Sequence, residues 1–245
     1  MPGRTVIKPP SSGVVFLAVP DQAVAEVAAS IARLEPSRRL SVVHLSGALG
    51  LDALSSLRGN PVGSFHPLQS FPAPRGLEAF RGITVAVDAT TPALLKRLRA
   101  LARSIGATPK HVEDSQRAIY HAAAVFASNY VDALLGEAVK LLRAAGWSDK
   151  EAISALLPLA EGTLANVRLR GPVKALTGPV RRGDVGTVRR HLEALDRLDF
   201  GAQYRMLGEI ALELAKEAGL KPAAARRMQR ALTEKSAATR RRRRQ

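Results

Sequence analysis

The sequence predicts an α/β domain built on a largely parallel sheet, followed by an all-helical domain. Two observations carry this prediction. In residues 14–112, short apolar runs alternate with segments of helical spacing, which is typical of a parallel sheet covered by helices. From Asp114 onwards, apolar residues recur at helical spacing and no convincing strand is found. We therefore place the domain boundary at about residue 112.

The α/β half begins with residues 1–13, whose three prolines, two serines and two glycines predict a disordered N-terminus. Pro20 ends the first strand, because proline cannot donate to a sheet, and Asp21 then either caps the first helix or orients a ligand. Strands are predicted at 14–19, 40–45, 62–65 and 83–87, and helices at 21–33, at 48–57 and from Thr91 onwards.

The helical half, residues 113–235, starts with one long helix predicted from about Asp114 to about Ala145. Ser148 and Glu151 have the spacing of a capping box, so a second helix is expected to begin there. Further helices are predicted at about 156–169, 184–195, 202–218 and 222–234.

The composition limits the partners of the chain. Its net charge is +16, but five of the positive charges are Arg240–Arg244, in a tail (236–245) predicted to be disordered by self-repulsion. Aromatic residues make up only 4% and are not interleaved with the basic ones, so nucleic-acid binding is expected only through this tail. The absence of cysteine, of a signal peptide and of a long apolar run predicts a cytoplasmic protein without membrane spans.

A candidate site lies where two predicted strands end. The loops there carry five polar side chains, His44, Ser46, Ser64, His66 and Gln69. Ligands of open α/β sheets bind at the carboxyl ends of the strands, which favours a site at this edge. His66 suits general acid–base chemistry or the orientation of a carbonyl substrate, and a structural hydrogen bond explains it equally well. The small-residue turn after Ser46 is suited to hold an anion, or it is an ordinary strand–helix turn.

A second set of polar residues follows the long predicted helix. His121, Ser128 and Asp132 are separated by nearly whole numbers of turns, and Asn129 lies beside them. A solvated helix face accounts for this stripe, and so does the lining of an interdomain cleft. In the second case we expect His66 and His121 to lie within about 15 Å of each other, roughly ten residues of helix rise.

Two further sequence patterns concern a possible anion site and a possible metal site. Thr177–Asp184 combines a Gly-Pro loop with two arginines, which suits an anionic group or a plain connection between helices. The five histidines show no spacing typical of metal ligands, so no metal site is predicted.

Several stretches together resemble a known family. VVFLAVPD, VVHLSGALG, SFHPLQSF, the helix with HAAAVFASNY, and LTGPVRRGD occur in this order over about residues 14–195. They resemble the Rossmann-like proteins with a DUF2520 C-terminal domain, relatives of ketopantoate reductase, pyrroline-5-carboxylate reductase and deazaflavin-dependent NADP reductases. The resemblance implies an NAD(P)-dependent oxidoreductase with a small-molecule substrate. It also implies a helical domain, like the C-terminal domain of 6-phosphogluconate dehydrogenase, that forms a homodimer.

The resemblance also implies roles for the candidate residues. The substrate side would use His66, His121, Ser128 and Asn129 with Ser46 and Gln69, and one of the two histidines would donate a proton. The cofactor side would use Pro20, Asp21, Ser46 and Gly47.

The chain departs from the family at its start. Family members open with a strand, a GxGxxG turn, a helix and a second strand, which hold the pyrophosphate and ribose. Here thirteen residues precede VVFLAVPD and no GxGxxG occurs. The sequence thus predicts a truncated Rossmann-like sheet and weak or absent NAD(P)H binding by the chain as given. The alternative function is a non-enzymatic dimeric binding or assembly protein whose basic tail engages an anionic partner.

Overall fold

The computed structural model describes residues 9–234, and the predicted tail at Arg240–Arg244 lies outside them. The first part is a five-stranded sheet with the strands side by side in chain order. Its strands are β1 (Gly13–Leu17), β2 (Leu40–His44), β3 (Val62–Pro67), β4 (Thr84–Ala89) and β5 (Thr108–His111), and its helices are α1 (Asp21–Ala32) and α2 (Pro92–Ser104).

Helices follow, and no strand occurs after β5 in the described residues, which confirms the predicted fold class. The capping box of Ser148 and Glu151 is formed, and the single helix after it, interrupted at Gly171, takes the place of the two helices predicted from Ser148 and at about 156–169. The helices are α3 (Asp114–Ala127), α4 (Asn129–Ala144), α5 (Asp149–Ala175), α6 (Gly178–Arg182), α7 (Val185–Arg197), α8 (Gly201–Glu217) and α9 (Pro222–Thr233).

The sheet is not parallel throughout. β1, β2 and β3 pair in parallel, and so do β4 and β5, but β3 and β4 are antiparallel. The connection between β3 and β4 contains only a short 3₁₀ helix, Leu77–Phe80, and no crossover α-helix returns the chain in the same direction. The sequence did not predict β5, because its residues TPKH lack the apolar pattern of a buried strand.

Two predicted helices differ from the observed ones. The helix expected at 48–57 is reduced to a 3₁₀ turn at Leu51–Leu54. The long helix expected to reach Ala145 is broken at Ser128, where φ is −124° and ψ is −75°, so that α3 and α4 are separate helices. Residues on either side of Ser128 therefore do not follow one continuous helical face.

The described chain divides into two compact units between Glu137 and Ala138, within α4. In the first unit the sheet is buried on both faces: Val42 packs with residues of α1, and Val43 packs with residues of α2. Alternate residues of β2 point to opposite faces, which explains its continuous apolar run. The predicted domain limit at 112/113 stays a prediction.

The second unit has a core of its own. Val188 and Leu192 of α7 pack against Leu212 of α8 and against Met228 and Leu232 of α9.

Large apolar side chains remain exposed on α3 to α5, among them Ile119, Phe126, Leu159, Leu164 and Leu169. The homodimer implied by the resemblance stays a prediction. No helix within residues 9–234 is long and apolar enough to cross a membrane.

Candidate active site

The strand ends meet as the sequence predicts. β1, β2 and β3 are parallel neighbours, and His44 pairs in register with Ser64, so their carboxyl ends lie at one edge of the sheet. His66 follows Ser64 by two residues, still within β3 rather than after it, and so belongs to the same face. Its side chain is partly buried at this edge.

The turn after β2 is held by its own side chains. Ser46 Oγ accepts hydrogen bonds from the backbone N–H groups of Ala48 (3.1 Å) and Leu49 (3.0 Å), and donates one to Asp21 Oδ2 (2.8 Å). Ser46 therefore joins the start of α1 to the turn that follows β2. Two of the N–H groups proposed to hold an anion, those of Ala48 and Leu49, are therefore already bonded within the turn.

Asp114 fixes the same turn to the start of α3. Its carboxylate accepts the N–H of Leu51 at 3.0 Å and the Nε–H of Arg117 at 3.0 Å. A carboxylate at the turn disfavours a phosphate there, because like charges repel.

Gly47 lets two imidazoles reach this turn. A Cβ atom at Gly47 would lie 2.7 Å from both Cε1 and Nε2 of His66 and 2.9 Å from Cδ2 of His121. Real side chains do not approach so closely, so an alanine here would displace both rings. The absence of a side chain at Gly47 is a condition for the observed arrangement.

His66 and His121 form a cluster with Tyr120. The Nδ1 atom of His66 lies 2.8 Å from the hydroxyl of Tyr120, and the two rings meet edge to face. The ring centroids of His66 and His121 are 6.3 Å apart, well within the expected distance. A cavity of about 560 Å³ adjoins this cluster. Its polar lining residues are His66, Gln69, Ser70, Tyr120, His121, Ser128 and Asn129.

Only part of the polar stripe predicted on the long helix therefore lies at the cavity. His121, Ser128 and Asn129 line the cavity, whereas Asp132 is exposed and does not. Asp132 lies on α4, three residues beyond Asn129 and past the break at Ser128. All lining residues belong to the first unit, and they come from both sides of the predicted limit at 112/113, so the predicted interdomain cleft stays a prediction.

The pKa values of His66 and Tyr120 are shifted in opposite directions. Burial, then the neighbouring charges of His121 and Arg117, lowers the pKa of His66 to about 4. Burial also raises the pKa of the Tyr120 phenol. At neutral pH, His66 is thus uncharged and Tyr120 keeps its proton. Near pH 7 His66 is therefore not an imidazolium, and which of the two histidines donates a proton stays a prediction.

This pKa predicts an acid-sensitive contribution to stability. The unfolded chain takes up a proton at His66 as the pH falls through 6.5, whereas the folded chain does so only near pH 4. The contribution is complete above pH 6.5 and is lost between 6.5 and about 4. His66→Gln should reduce the fall in unfolding free energy between pH 7.5 and 5 by about 1 kcal/mol, allowing for the partly exposed ring. Urea unfolding at pH 7.5 and 5 measures this fall in the wild type and in His66→Gln. An equal fall in the unfolding free energy of the two proteins would contradict the prediction.

Arg117 was not predicted from the sequence, yet it is the only charged side chain among the fully buried ones of the described residues, with 1% exposed. Its guanidinium donates to Asp114 and to Ser64 and lies 3.9 Å from Asp88 Oδ2. Its Nη1 has no hydrogen-bond partner in the described residues. The spacing of Asp114 and Arg117 by three residues on a helix was the available signal.

His44 lies beside this network. Its ring is fully buried; neither nitrogen makes a hydrogen bond of ordinary geometry in the described residues, although the backbone of Gly50 interacts with the ring. Burial, followed by the charge of Arg117, lowers its pKa, so the ring is held neutral. His44 is therefore part of the sheet interior and does not line the cavity.

The predicted cofactor residues do not fit a pyrophosphate. Pro20 and Asp21 are exposed at the start of α1, where no side chain caps the helix and the Asp21 carboxylate occupies the first turn. Ser46 and Gly47 are buried, and the N–H groups near them are bonded. These four residues thus offer no backbone cradle of the kind that holds a dinucleotide phosphate. Nor do the described residues contain a group of three or more side chains able to hold a metal ion.

Comparisons with known proteins agree with this architecture. A family model described as Domain of unknown function (DUF2520) matches residues 83–211. A search of the curated proteins finds no match.

Three solved structures share the fold. A protein from Thermotoga maritima has a TM-score of 0.72 and 24% identity, over 86% of this chain and 81% of that one. A protein from Bacteroides fragilis, whose name proposes an NADP oxidoreductase, has a TM-score of 0.67 and 24% identity, over 87% and 77%. A pyrroline carboxylate reductase from Plasmodium falciparum with NADP bound has a TM-score of 0.52 and 14% identity, over 84% and 77%. At these identities the likeness concerns the fold.

Proposed function

Because the chain belongs to the DUF2520 family and its sheet is Rossmann-like, we propose that it is an oxidoreductase-like protein that binds a small carbonyl substrate. The observation that carries this proposal is the cavity at His66, Tyr120 and His121, at the carboxyl edge of the parallel strands. The names of the neighbouring structures support the reaction class. They do not identify the substrate.

The pair of His66 and Tyr120 is suited to polarise a carbonyl oxygen. Both groups are uncharged near pH 7, and one hydrogen bond joins Nδ1 to the phenol. If Nδ1 accepts the phenol proton, Nε2 carries the remaining proton of the imidazole. If Nδ1 donates, the phenol proton is free. In either tautomer the pair keeps one donor for a third group, which a carbonyl oxygen would accept.

The other lining residues would orient the substrate. Gln69, Ser128 and Asn129 contribute amide and hydroxyl groups around the cavity. His121, rather than His66, remains the candidate proton donor, because the pKa of His66 is too low for an imidazolium near pH 7.

The residues present would contact only part of an NAD(P) cofactor. NAD(P) is the cofactor implied by the family, and a bound NADP appears in one neighbouring structure. In this chain the strand ends at Pro20–Asp21 and Ser46–Gly47 would meet only the nicotinamide side. No GxGxxG turn is present in the sequence, so the chain as given should bind NAD(P)H weakly.

The test compares two tyrosine variants. Pyruvate and 1-pyrroline-5-carboxylate serve as carbonyl and imine probes, followed through the imidazole NMR signals of His66 and His121. Tyr120→Phe should weaken binding about fivefold, the effect of one hydrogen bond of about 1 kcal/mol. Tyr204→Phe is the matched control, because Tyr204 makes the same 2.8 Å bond to His191 in the second unit.

Two results would contradict the proposal. The substrate part fails if neither probe shifts the His66 and His121 signals, or if both tyrosine variants weaken binding equally. The cofactor part fails if NADPH fluorescence reports micromolar binding to the chain as given.

A further inference from the structure

A second cavity, of about 640 Å³, lies wholly within the second unit. Its lining contains three cationic side chains, Arg181, Arg182 and Lys221, and none of the described residues that line it carries a carboxylate. The cavity is widely open to solvent, and its volume lies within the range of small-molecule sites. Its charge favours an anionic ligand.

The cations are arranged around the cavity by α6 and α9. Arg181 donates one guanidinium N–H to the carbonyl of Ala218 at 2.9 Å, which holds it at the wall. Arg182 follows on α6 and is exposed, as is Lys221 at the start of α9. The guanidinium of Arg181, held in this way, can offer its remaining N–H donors to a phosphate.

The start of α9 adds to the positive potential. This helix has twelve residues, and no side chain caps its first turn. Pro222, the first residue of α9, has no N–H, so the N–H groups of Ala223 and Ala224 are the ones without a partner within the helix, and the helix dipole is positive at this end. Lys221 and Ala224, both at this end, line the cavity.

The remaining wall is apolar. Leu176, Leu220 and Ala224 line the cavity beside the cations. A bare ion would leave this surface without a partner, whereas an organic group attached to the anion would cover it.

We propose that this cavity binds the phosphate group of a small phosphate monoester. The oxygens of the phosphate are held by Arg181, Arg182 and Lys221 at the N-terminus of α9. The organic part lies against Leu176 and Leu220. The site requires nothing from the cavity at His66, so it stands or falls independently of the proposed oxidoreductase role.

Calorimetric titration with phenyl phosphate and inorganic phosphate tests this site in the full chain. At a constant ionic strength of about 0.15 M, the Debye length is about 8 Å, so unspecific attraction to the basic surface is largely screened. Phenyl phosphate should bind, and binding about tenfold tighter than inorganic phosphate would show that the apolar wall contributes. Equal binding by the two probes would refute the contact between the apolar wall and an organic group, and no saturable binding by either probe would overturn the whole proposal.

Charge-matched variants separate the cavity from the overall charge. Arg182→Gln with Lys221→Gln should weaken phenyl phosphate binding roughly tenfold or more. Arg226→Gln with Arg227→Gln removes the same charge from exposed positions of α9 that do not line the cavity, and should change binding less than about twofold. Equal weakening in the two double variants would overturn the proposal.

The Lys221→Glu variant distinguishes the loss of the binding site from the loss of the folded structure. A carboxylate at a helix N-terminus is favourable, so the melting temperature without ligand should stay equal or rise. Phenyl phosphate binding should nevertheless be lost, because the new charge repels the anion. Retained binding in a stable Lys221→Glu protein would refute the site.

Discussion

Replacing Arg117 with methionine should lower the free energy of unfolding by about 3 kcal/mol, which is the lower end of the cost of breaking a buried ion pair. Arg117 is 1% exposed and donates to Asp114 and Ser64. Methionine fills much of the same space but leaves Ser64 and Asp88 without their buried partner. We expect a loss of unfolding free energy at the lower end of this range for two reasons. Asp114 is half exposed, and Asp88 retains its contact with His111 at 3.0 Å.

A surface pair provides the control for this variant. Arg143 contacts Asp149 at 2.6 Å, but both side chains are more than half exposed, so Arg143→Met should change stability far less. Chemical denaturation of both variants measures the difference. Equal effects would show that the buried network does not stabilise the fold.

The same variant should also change the site. The charge of Arg117 is one cause of the low pKa of His66, after burial and His121. Arg117→Met should therefore raise this pKa above 4 without restoring 6.5, because burial still disfavours the imidazolium. NMR titration of the His66 ring measures it, and an unchanged pKa would contradict a role for Arg117 in keeping His66 neutral.

Replacing Gly47 with alanine should lower the free energy of unfolding by about 1–3 kcal/mol, the usual cost of overpacking. The new Cβ would lie within 3 Å of His66 and His121, and His66 is tied to Tyr120 by a hydrogen bond. One ring or both must move, so the imidazole NMR signals should change as well.

Two other glycines are matched controls. Gly136 and Gly162 lie in α4 and α5, and a Cβ at either meets nothing within 4 Å. Alanine at these positions should stabilise the protein by about 0.5–1 kcal/mol, because glycine is unfavourable inside helices. If Gly47→Ala behaves like these two variants and leaves the His66 and His121 signals unchanged, the close packing of the two rings against Gly47 is not supported.

The sequence predicted those parts of the site that depend on local pattern. The apolar runs of β2 and β3 place His66 at the carboxyl edge of the sheet, and the helical spacing after Asp114 places His121 on α3. Their proximity follows from these two placements, and the ring distance of 6.3 Å agrees with it.

Contacts between segments distant in the chain could not be predicted in the same way. Tyr120 gave no signal because its partner His66 lies 54 residues earlier. Asp114 takes up the N–H of Leu51, 63 residues away, and this bond helps to remove the predicted anion site.

The sequence by itself determined the fold class, since the periods of hydrophobic residues report which faces are buried, and burial is the dominant stabilising term. Tertiary structure alone decided the antiparallel β3–β4 pair, the break at Ser128 and the burial of Arg117. Each depends on which groups meet across the fold, because hydrogen bonds and ion pairs gain strength only where packing excludes water. A hydrophobic pattern records that a face is buried, but it does not record the polar group on the other side.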